Sequence, residues 1–221
     1  MNNLNNIKNL SGEIKMPLLM LPLKSTLVRT SKGVILISPI KGIDSRDEGR
    51  EFGDVTDIVG PNLFHHLGIN SAKRMFPNAI VWGPSGFKTK RPDVRWTQLT
   101  PESWPYSGEL DFLILDGMPK VQEAIFFHAE SRTLIVTDLF FNFLRGSGFG
   151  YWLIFNLFGT YKRFAMSRLF LSTIKDKAAF KKSITKMMTW DFDRIVIPHG
   201  DNVESGAKTL VTRVLKERSL V

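Results

Sequence analysis

Short apolar runs separated by turn-forming residues recur along most of the chain, and they predict a protein rich in β-strands. Two β-branched runs, STLVR at 25–29 and VILIS at 34–38, flank the cluster TSKG and predict a β-hairpin. Three further runs, LDFLIL at 110–115, EAIFFH at 123–128 and TLIVT at 133–137, are divided by turn signals. This spacing predicts an antiparallel meander.

Helical periodicity is confined to a few parts of the chain. Residues 63–76 predict one helix, which would place two adjacent histidines on its first turn. Residues 139–190 are aromatic and basic and predict two or three helices, with the clearest amphipathic pattern over 176–188. A final strand at 192–198 is followed by apolar positions at helical spacing, which predict a closing helix over 202–218.

Length and composition indicate one globular domain. The 221 residues are 43% hydrophobic and 23% charged, which is ordinary for a folded domain, and we assign residues 21–221 to it. Residues 1–20 begin with a polar, Asn-rich stretch, and the apolar run at 16–23 that follows is short and broken by Pro17 and Pro22, so we expect 1–20 to be a flexible segment. The chain has no cysteine, which excludes disulfides and thiolate metal sites and fits a cytoplasmic location. No apolar run approaches the ~20 residues of a membrane span.

The positive charge is concentrated in one part of the chain. Of the formal net charge of +9, most lies in 139–190, where nine basic residues face one acidic residue, Asp176. Such a segment suits an anionic membrane surface, a polyanion or an acidic substrate, or it is a solvated helix face. Its aromatic residues could form a pocket wall, a homodimer surface, a contact with a protein partner or a peripheral membrane anchor. Nucleic acid is disfavoured, because Tyr and Trp are not interleaved with the basic run at 175–186.

Metal-competent side chains follow three of the predicted strands. Asp138 follows TLIVT, His199 follows RIVIP, and the pair His65 and His66 follows the short strand that ends in DIV. Strand ends on one edge of a sheet bring such groups together, and imidazole and carboxylate are ligands for zinc, iron or manganese. Each of these residues alone is also common as a helix cap or turn former, and a histidine pair is often one packed and one solvated residue.

The segments FPNAIVWGP, SRTLIVTDLFFN and DRIVIPHGD, in this order after a hairpin and a histidine-bearing loop, resemble the metallo-β-lactamase-fold hydrolases. The resemblance runs from about residue 21 to the C-terminus and is closer to a bacterial branch with a degenerate metal motif. It implies an α+β fold, a four-layer αββα sandwich, with a helical insertion at about 139–190.

The first signature of this superfamily is His-x-His-x-Asp-His at a strand-to-helix loop, followed by an apolar residue and Gly. In this chain Pro61 and Leu63 stand in place of the first two histidines, His65 stands where the motif has Asp, and His66 matches the final His. The middle histidine of the family has no counterpart near Asp116. The resemblance therefore implies the loss of one metal pocket.

The second pocket retains four matching residues. Asp138 matches the metal-bridging aspartate and His199 the late histidine, so the resemblance implies one divalent metal, zinc before iron or manganese, held by His65, His66, Asp138 and His199. Asp138 and His199 would then be the catalytic residues of a hydrolase that activates water against a small-molecule ester, lactone, amide or phosphodiester. In the alternative, the site is vestigial and binds no cofactor. The protein is then a binding module that engages a protein partner or an anionic membrane surface through 139–190.

Overall fold

The computed structural model describes residues 6–16, 19–43 and 51–221. Its larger sheet has six strands in chain order, antiparallel from the first to the third and parallel from the third to the sixth. The predicted hairpin is confirmed as its second and third strands. The strands are β1 Ile7–Met16, β2 Leu19–Thr30, β3 Gly33–Ile37, β4 Val55–Val59, β5 Ile80–Gly83 and β6 Thr97–Gln98.

The predicted meander forms the second sheet, and the predicted last strand joins it. Its strand order is β12-β9-β8-β7, and β12 runs parallel to β9 while the meander pairs are antiparallel. A two-stranded ribbon, β10 with β11, lies apart from both sheets. The strands are β7 Leu110–Ile114, β8 Ala124–His128, β9 Thr133–Ile135, β10 Phe141–Asn142, β11 Phe164–Ala165 and β12 Arg194–Val196.

The described residues form six α-helices, three of them in the segment predicted to be a helical insertion. The amphipathic pattern at 176–188 is a helix whose N-cap is Asp176, and the closing helix is present but begins at Ala207. None of these helices is long and apolar enough to cross a membrane. The helices are α1 Ile69–Met75, α2 Phe87–Lys90, α3 Phe149–Phe158, α4 Arg168–Ser172, α5 Lys177–Met188 and α6 Ala207–Glu217.

Alternating side chains on the strands build four layers. In β8, Ala124 and Phe126 face the core between the sheets, whereas Ile125 and Phe127 pack in the core that includes Val211 of α6. Strand β3 divides in the same way between the inter-sheet core and the core that contains α1. This period of two buries both faces of each sheet, so helices cover both outer faces. The result is the αββα sandwich that the resemblance implied.

Two predictions near the N-terminus and the histidine pair are wrong. Residues 7–16 are not a flexible segment, because they pair with β2 along the whole length of β1; residues 1–5 and 17–18 of that segment lie outside the described residues. The helix predicted over 63–76 begins only at Ile69. Asn62 accepts hydrogen bonds from the backbone N–H groups of Phe64 and His65 and so holds the preceding residues in a turn.

Candidate metal centre

Three of the four predicted ligands meet where strands of the two sheets end. Asp138 follows β9 and His199 follows β12, and since these strands are parallel, their ends lie on the same edge of the second sheet. His65 enters from the turn that follows β4 of the larger sheet. Side chains that are far apart in the sequence are thereby brought into one cluster of metal-competent groups, His65, Asp138 and His199.

The three potential ligand atoms form a nearly equilateral triangle. The Nε2 atoms of His65 and His199 are 3.2 Å apart, and each lies 3.4 Å from Oδ1 of Asp138. All three side chains are largely buried, with exposed fractions of 9%, 7% and 16% for His65, His199 and Asp138. In a tetrahedral zinc site with bonds of about 2.0–2.1 Å, ligand atoms are roughly 3.3–3.4 Å apart. The spacing therefore fits one small divalent cation.

The far side of each imidazole is held by a hydrogen-bonding partner. Nδ1 of His199 lies 3.3 Å from the carbonyl oxygen of Pro22, which can only accept, so Nδ1 is the protonated nitrogen and Nε2 presents a lone pair to the cluster. Nδ1 of His65 lies 2.7 Å from the hydroxyl of Ser38, which can accept in the same way. The ring of Phe141 stacks on His199 with centroids 5.4 Å apart. Such support orients metal-binding imidazoles.

Asn62 is a site residue that the sequence analysis did not identify. Its side chain is fully buried, and its Nδ2 donates a 2.8 Å hydrogen bond to Oδ2 of Asp138. Its Oδ1 accepts from the backbone N–H groups of Phe64 and His65 at 2.8 and 3.0 Å. One amide therefore connects the turn that carries His65 with the carboxylate of Asp138. In the sequence, Gly60-Pro61-Asn62 indicates only a turn.

Glu123 lies beneath the cluster and supports the segment that carries Asp138. It is completely buried and accepts hydrogen bonds from the backbone N–H groups of Thr137, Asp138 and Leu139. Burial and the negative charge of Asp138 raise the pKa of Glu123 to about 7. In the sequence, Glu123, Asp116 and Asp201 are weaker candidates for orienting an imidazole, with turn and surface roles favoured; the structure makes Glu123 a positioning group for the turn after β9.

The carboxylate of Asp138 and the imidazole of His65 stabilise each other's charged forms. Burial opposes ionisation of Asp138, but the neighbouring His65 and His199 outweigh it and hold its pKa well below the usual range. Burial also lowers the pKa of His65, yet the negative charge of Asp138 and its hydrogen bond outweigh burial, and the pKa is raised. The site therefore favours a bound positive charge, whether a proton or a metal ion.

His66 does not belong to the cluster, so its predicted place in the ligand set is wrong. Its Nδ1 lies 3.2 Å from Nη1 of Arg91, and its ring meets Phe87 edge-on at 6.1 Å. Partial burial, Lys90 and Arg91 all lower its pKa. Because residues 63–68 form turns rather than a helix, the two adjacent histidines point to different surroundings.

Close backbone approaches fix the loops that carry the histidines. An added Cβ at Gly68 would lie 1.9 Å from the carbonyl oxygen of Pro39, so the loop after β3 can approach the His65 turn only at a glycine. Gly200, next to His199, has a φ of 108°, and a Cβ there would lie 2.2 Å from the carbonyl oxygen of Asn142. Both glycines therefore set positions within the site.

A cleft of about 530 Å³ opens in front of the two clustered histidines. Strands β1 and β2 supply an apolar wall of Ile14, Leu21 and Leu23 on one side. Lys15 and Lys41 add two positive charges to the same cleft and Glu13 adds one negative charge, so its lining is positive on balance. A substrate that combines an apolar part with a negatively charged group matches this lining.

The remaining histidine and acidic residues lie elsewhere. His128 is buried at the end of β8, where Nδ1 contacts the hydroxyl of Ser131 at 2.7 Å. Asp116 accepts from the hydroxyl of Ser183, and Asp201 lies 3.8 Å from Arg145. Their hydrogen-bonding and ionic partners are outside the cluster, so these groups do not orient its imidazoles directly.

No family model matches the sequence, and no curated protein matches it. Solved structures do match: a metallo-β-lactamase from Pontibacter korlensis has a TM-score of 0.65 at 12% identity and covers 96% of this chain and 95% of its own. The metallo-β-lactamase FIM-1 from Pseudomonas aeruginosa, in its mono-zinc form, gives 0.67 at 11% identity over 98% of this chain and 93% of its own. The metal-soaked Flv1 flavodiiron core from Synechocystis sp. PCC6803 gives 0.68 at 11% identity over 97% of this chain and 59% of its own.

These similarities extend over nearly the whole of this chain, at TM-scores of 0.65 and 0.67. The cluster of His65, Asp138 and His199 lies at strand ends, as the resemblance in the sequence implied. At 11–12% identity the comparison concerns architecture alone. The protein has the metallo-β-lactamase fold.

Proposed function

We propose that this protein is a metal-dependent hydrolase with one divalent ion, held by His65, Asp138 and His199. The observation that carries the proposal is the convergence of three lone-pair atoms at 3.2–3.4 Å from one another. A single proton can satisfy only one of these three contacts at a time, whereas one small divalent cation satisfies all three. The donor set of two imidazoles and a carboxylate suits zinc, with iron and manganese as further candidates.

Three protein ligands are the usual number in a catalytic zinc site, where the remaining position is open to water or substrate. Bound in such a site, the ion supplies Lewis-acid polarisation of a substrate oxygen and lowers the pKa of water. Asp138 supplies the negative charge that balances the cation, and the amide of Asn62 holds its second oxygen in place. Ser38 and the carbonyl of Pro22 keep the two imidazole rings in the orientation that ligation needs.

The side chains that line the cleft indicate the chemical class of the substrate. Its apolar wall favours a substrate with a hydrocarbon portion, and the lysines at 15 and 41, against the single carboxylate of Glu13, favour a substrate that carries a negative charge. Among the ester, lactone, amide and phosphodiester classes, these features favour a phosphodiester joined to an apolar group, or a carboxylic ester that also carries a separate acidic group. In this proposal the apolar wall and the charged side chains of the cleft bind the substrate and orient it beside the cluster.

Metal analysis of untagged protein tests the proposal. The wild type should carry close to one equivalent of zinc, iron or manganese, and the His199→Ala variant should lose most of it while remaining folded by circular dichroism. Hydrolysis of p-nitrophenyl esters and bis-p-nitrophenyl phosphate should fall on treatment with a chelator and return when the metal is restored. Substoichiometric metal that is unchanged in His199→Ala would refute a metal-dependent hydrolase.

A further inference from the structure

Helix α3 exposes a stripe of large apolar side chains to solvent. Its sequence, FGYWLIFNLF, contains no charged residue. Phe149 is 73% exposed and Leu157 is 64% exposed, with Trp152 and Leu153 at 48% and 39%. These positions recur every three or four residues, so they lie along one face of the helix. A contiguous apolar surface of this kind marks a contact with a partner or a membrane.

The opposite face anchors the helix to the protein. Tyr151 and Phe155 are buried against Phe143, whose ring centroid lies 4.1 Å from that of Phe155. The exposed stripe is therefore presented on a helix that already has its own core contacts. Leu21 packs against this aromatic cluster and also lines the cleft in front of the histidines, so the buried face of α3 lies behind one wall of that cleft.

Basic side chains lie at both ends of the stripe, and acidic residues are absent from this part of the sequence. The chain has no Asp or Glu between Asp138 and Asp176. Arg145 precedes α3 and has an 89% exposed side chain that lies 3.8 Å from Asp201, and Lys162 follows α3 and is exposed. Arg168 donates a hydrogen bond to the carbonyl oxygen of Leu157 at the C-terminal end of α3. Positive charge therefore borders the apolar face at both ends of the helix, and Asp201 offsets part of it at the N-terminal end.

We propose that α3 docks the protein on a lipid surface that contains anionic headgroups. Phe149, Trp152, Leu153 and Leu157 enter the boundary between headgroups and acyl chains, and the adjacent Arg and Lys residues contact lipid phosphates. The ten residues of α3 span roughly 15 Å, which suits a helix lying in the plane of the interface rather than crossing it. This docking does not depend on the hydrolase activity proposed above.

The same charge pattern argues against a second copy of this chain as the partner. A twofold interface brings identical surface patches together. Pairing through α3 would place the basic side chains of both copies beside each other, and the carboxylates found next to bases of this segment, Asp201 at Arg145 and Glu217 at Arg163, already have partners within their own copy. An anionic lipid surface offers both an apolar layer and the opposite charge.

Vesicle experiments with brominated lipids test the proposal on the full chain. A protein with a net charge of +9 adsorbs to anionic vesicles through charge alone, so the readout must report insertion at α3. We expect brominated acyl chains in mixed phosphatidylcholine and phosphatidylglycerol vesicles to quench tryptophan fluorescence. The quenching should be absent in the Trp152→Phe variant, which should still sediment with the vesicles.

Substitutions that remove an apolar side chain without changing the charge, and others that remove a single charge, separate insertion from adsorption. Phe149→Ser and Leu157→Ser should each lower the vesicle partition coefficient about tenfold, because each removes one inserting side chain. Arg145→Gln and Lys162→Gln should each lower it about fivefold at low salt. Matched controls outside the stripe are Ile80→Ser, an exposed apolar residue, and Lys88→Gln, an exposed base, and both should bind as the wild type does.

Three results would overturn docking by α3. The first is the absence of quenching by brominated lipid in the wild type at low salt. The second is equal vesicle binding by the wild type, Phe149→Ser and Leu157→Ser. The third is sedimentation equilibrium showing a dimer that the same serine substitutions dissociate, together with no lipid binding, which would assign the surface to a second copy of the chain.

Discussion

Replacing Asn62 with alanine should weaken both the fold and the metal centre. The amide makes a hydrogen bond to the carboxylate of Asp138 and accepts two more from the turn that carries His65. The N–H of His65 keeps a second partner, the backbone carbonyl of residue 62, and Phe64 is exposed enough for water to replace the amide there. The main loss is therefore the hydrogen bond to the buried Asp138.

The size of the effect follows from these contacts. A hydrogen bond to a charged group contributes about 1.5–3 kcal/mol, and a neutral bond that water partly replaces contributes about 0.5–1.5 kcal/mol. We therefore expect Asn62→Ala to lower the free energy of unfolding by about 2–4 kcal/mol. Zinc affinity should fall about 10–100-fold, as it does when the partner of a metal ligand is removed.

Urea unfolding in the presence of a chelator and competitive zinc titration measure the two effects separately. The matched control is Asn70→Ala, because the exposed Asn70 makes its side-chain hydrogen bonds with Arg91 and Asp93 at the surface. This control should change the stability by less than about 0.5 kcal/mol and leave zinc affinity unchanged. Equal unfolding midpoints and equal zinc affinities for the two variants would refute the assigned role of Asn62.

Three other predictions concern the same loops and the core. Gly68→Ala should cost about 1–3 kcal/mol in urea unfolding, because its Cβ would lie 1.9 Å from the carbonyl oxygen of Pro39; unchanged stability would contradict that close approach. Tyr106 donates a hydrogen bond to the buried Asp57, and burial followed by this bond raises its pKa to about 12. Its stabilising contribution should be complete below pH 10, and the wild type should lose stability relative to Tyr106→Phe between pH 10 and 12. Zinc affinity should fall with decreasing pH through the raised pKa of His65, because a proton competes for Nε2, and a flat profile in competitive titrations from pH 5 to 8 would count against ligation by this residue.

The strands of the sandwich could be predicted because their side chains alternate between two buried faces. In β8, successive residues enter different cores, and the apolar run EAIFFH carries that information in the sequence itself. Strand β1 was missed because its sequence, IKNLSGEIKM, is polar, and it becomes a strand through pairing with β2. Edge strands of this kind are specified by their neighbour more than by their own composition.

The two site residues that follow strands could be predicted from the sequence, whereas the conformation of the turn that carries the two histidines could not. Asp138 and His199 each lie three residues after the end of a strand, β9 and β12, so their positions follow from the sheet. The directions of His65 and His66 depend on the irregular turn that the buried amide of Asn62 holds. A helical interpretation of 63–76 treats the two histidines as neighbours on one turn, whereas tertiary contacts send one to the cluster and the other to Arg91.

Calorimetric titration of zinc into chelator-treated His65→Ala and His66→Ala tests the central claim most directly. The two substitutions remove the same side chain from adjacent positions, so they differ only in which imidazole is lost. With one ion held by His65, Asp138 and His199, His66→Ala should bind one equivalent of zinc as the wild type does, and His65→Ala should bind at least about a hundredfold more weakly. Equal zinc binding by the two variants, or loss of binding in His66→Ala alone, would contradict the proposed metal centre.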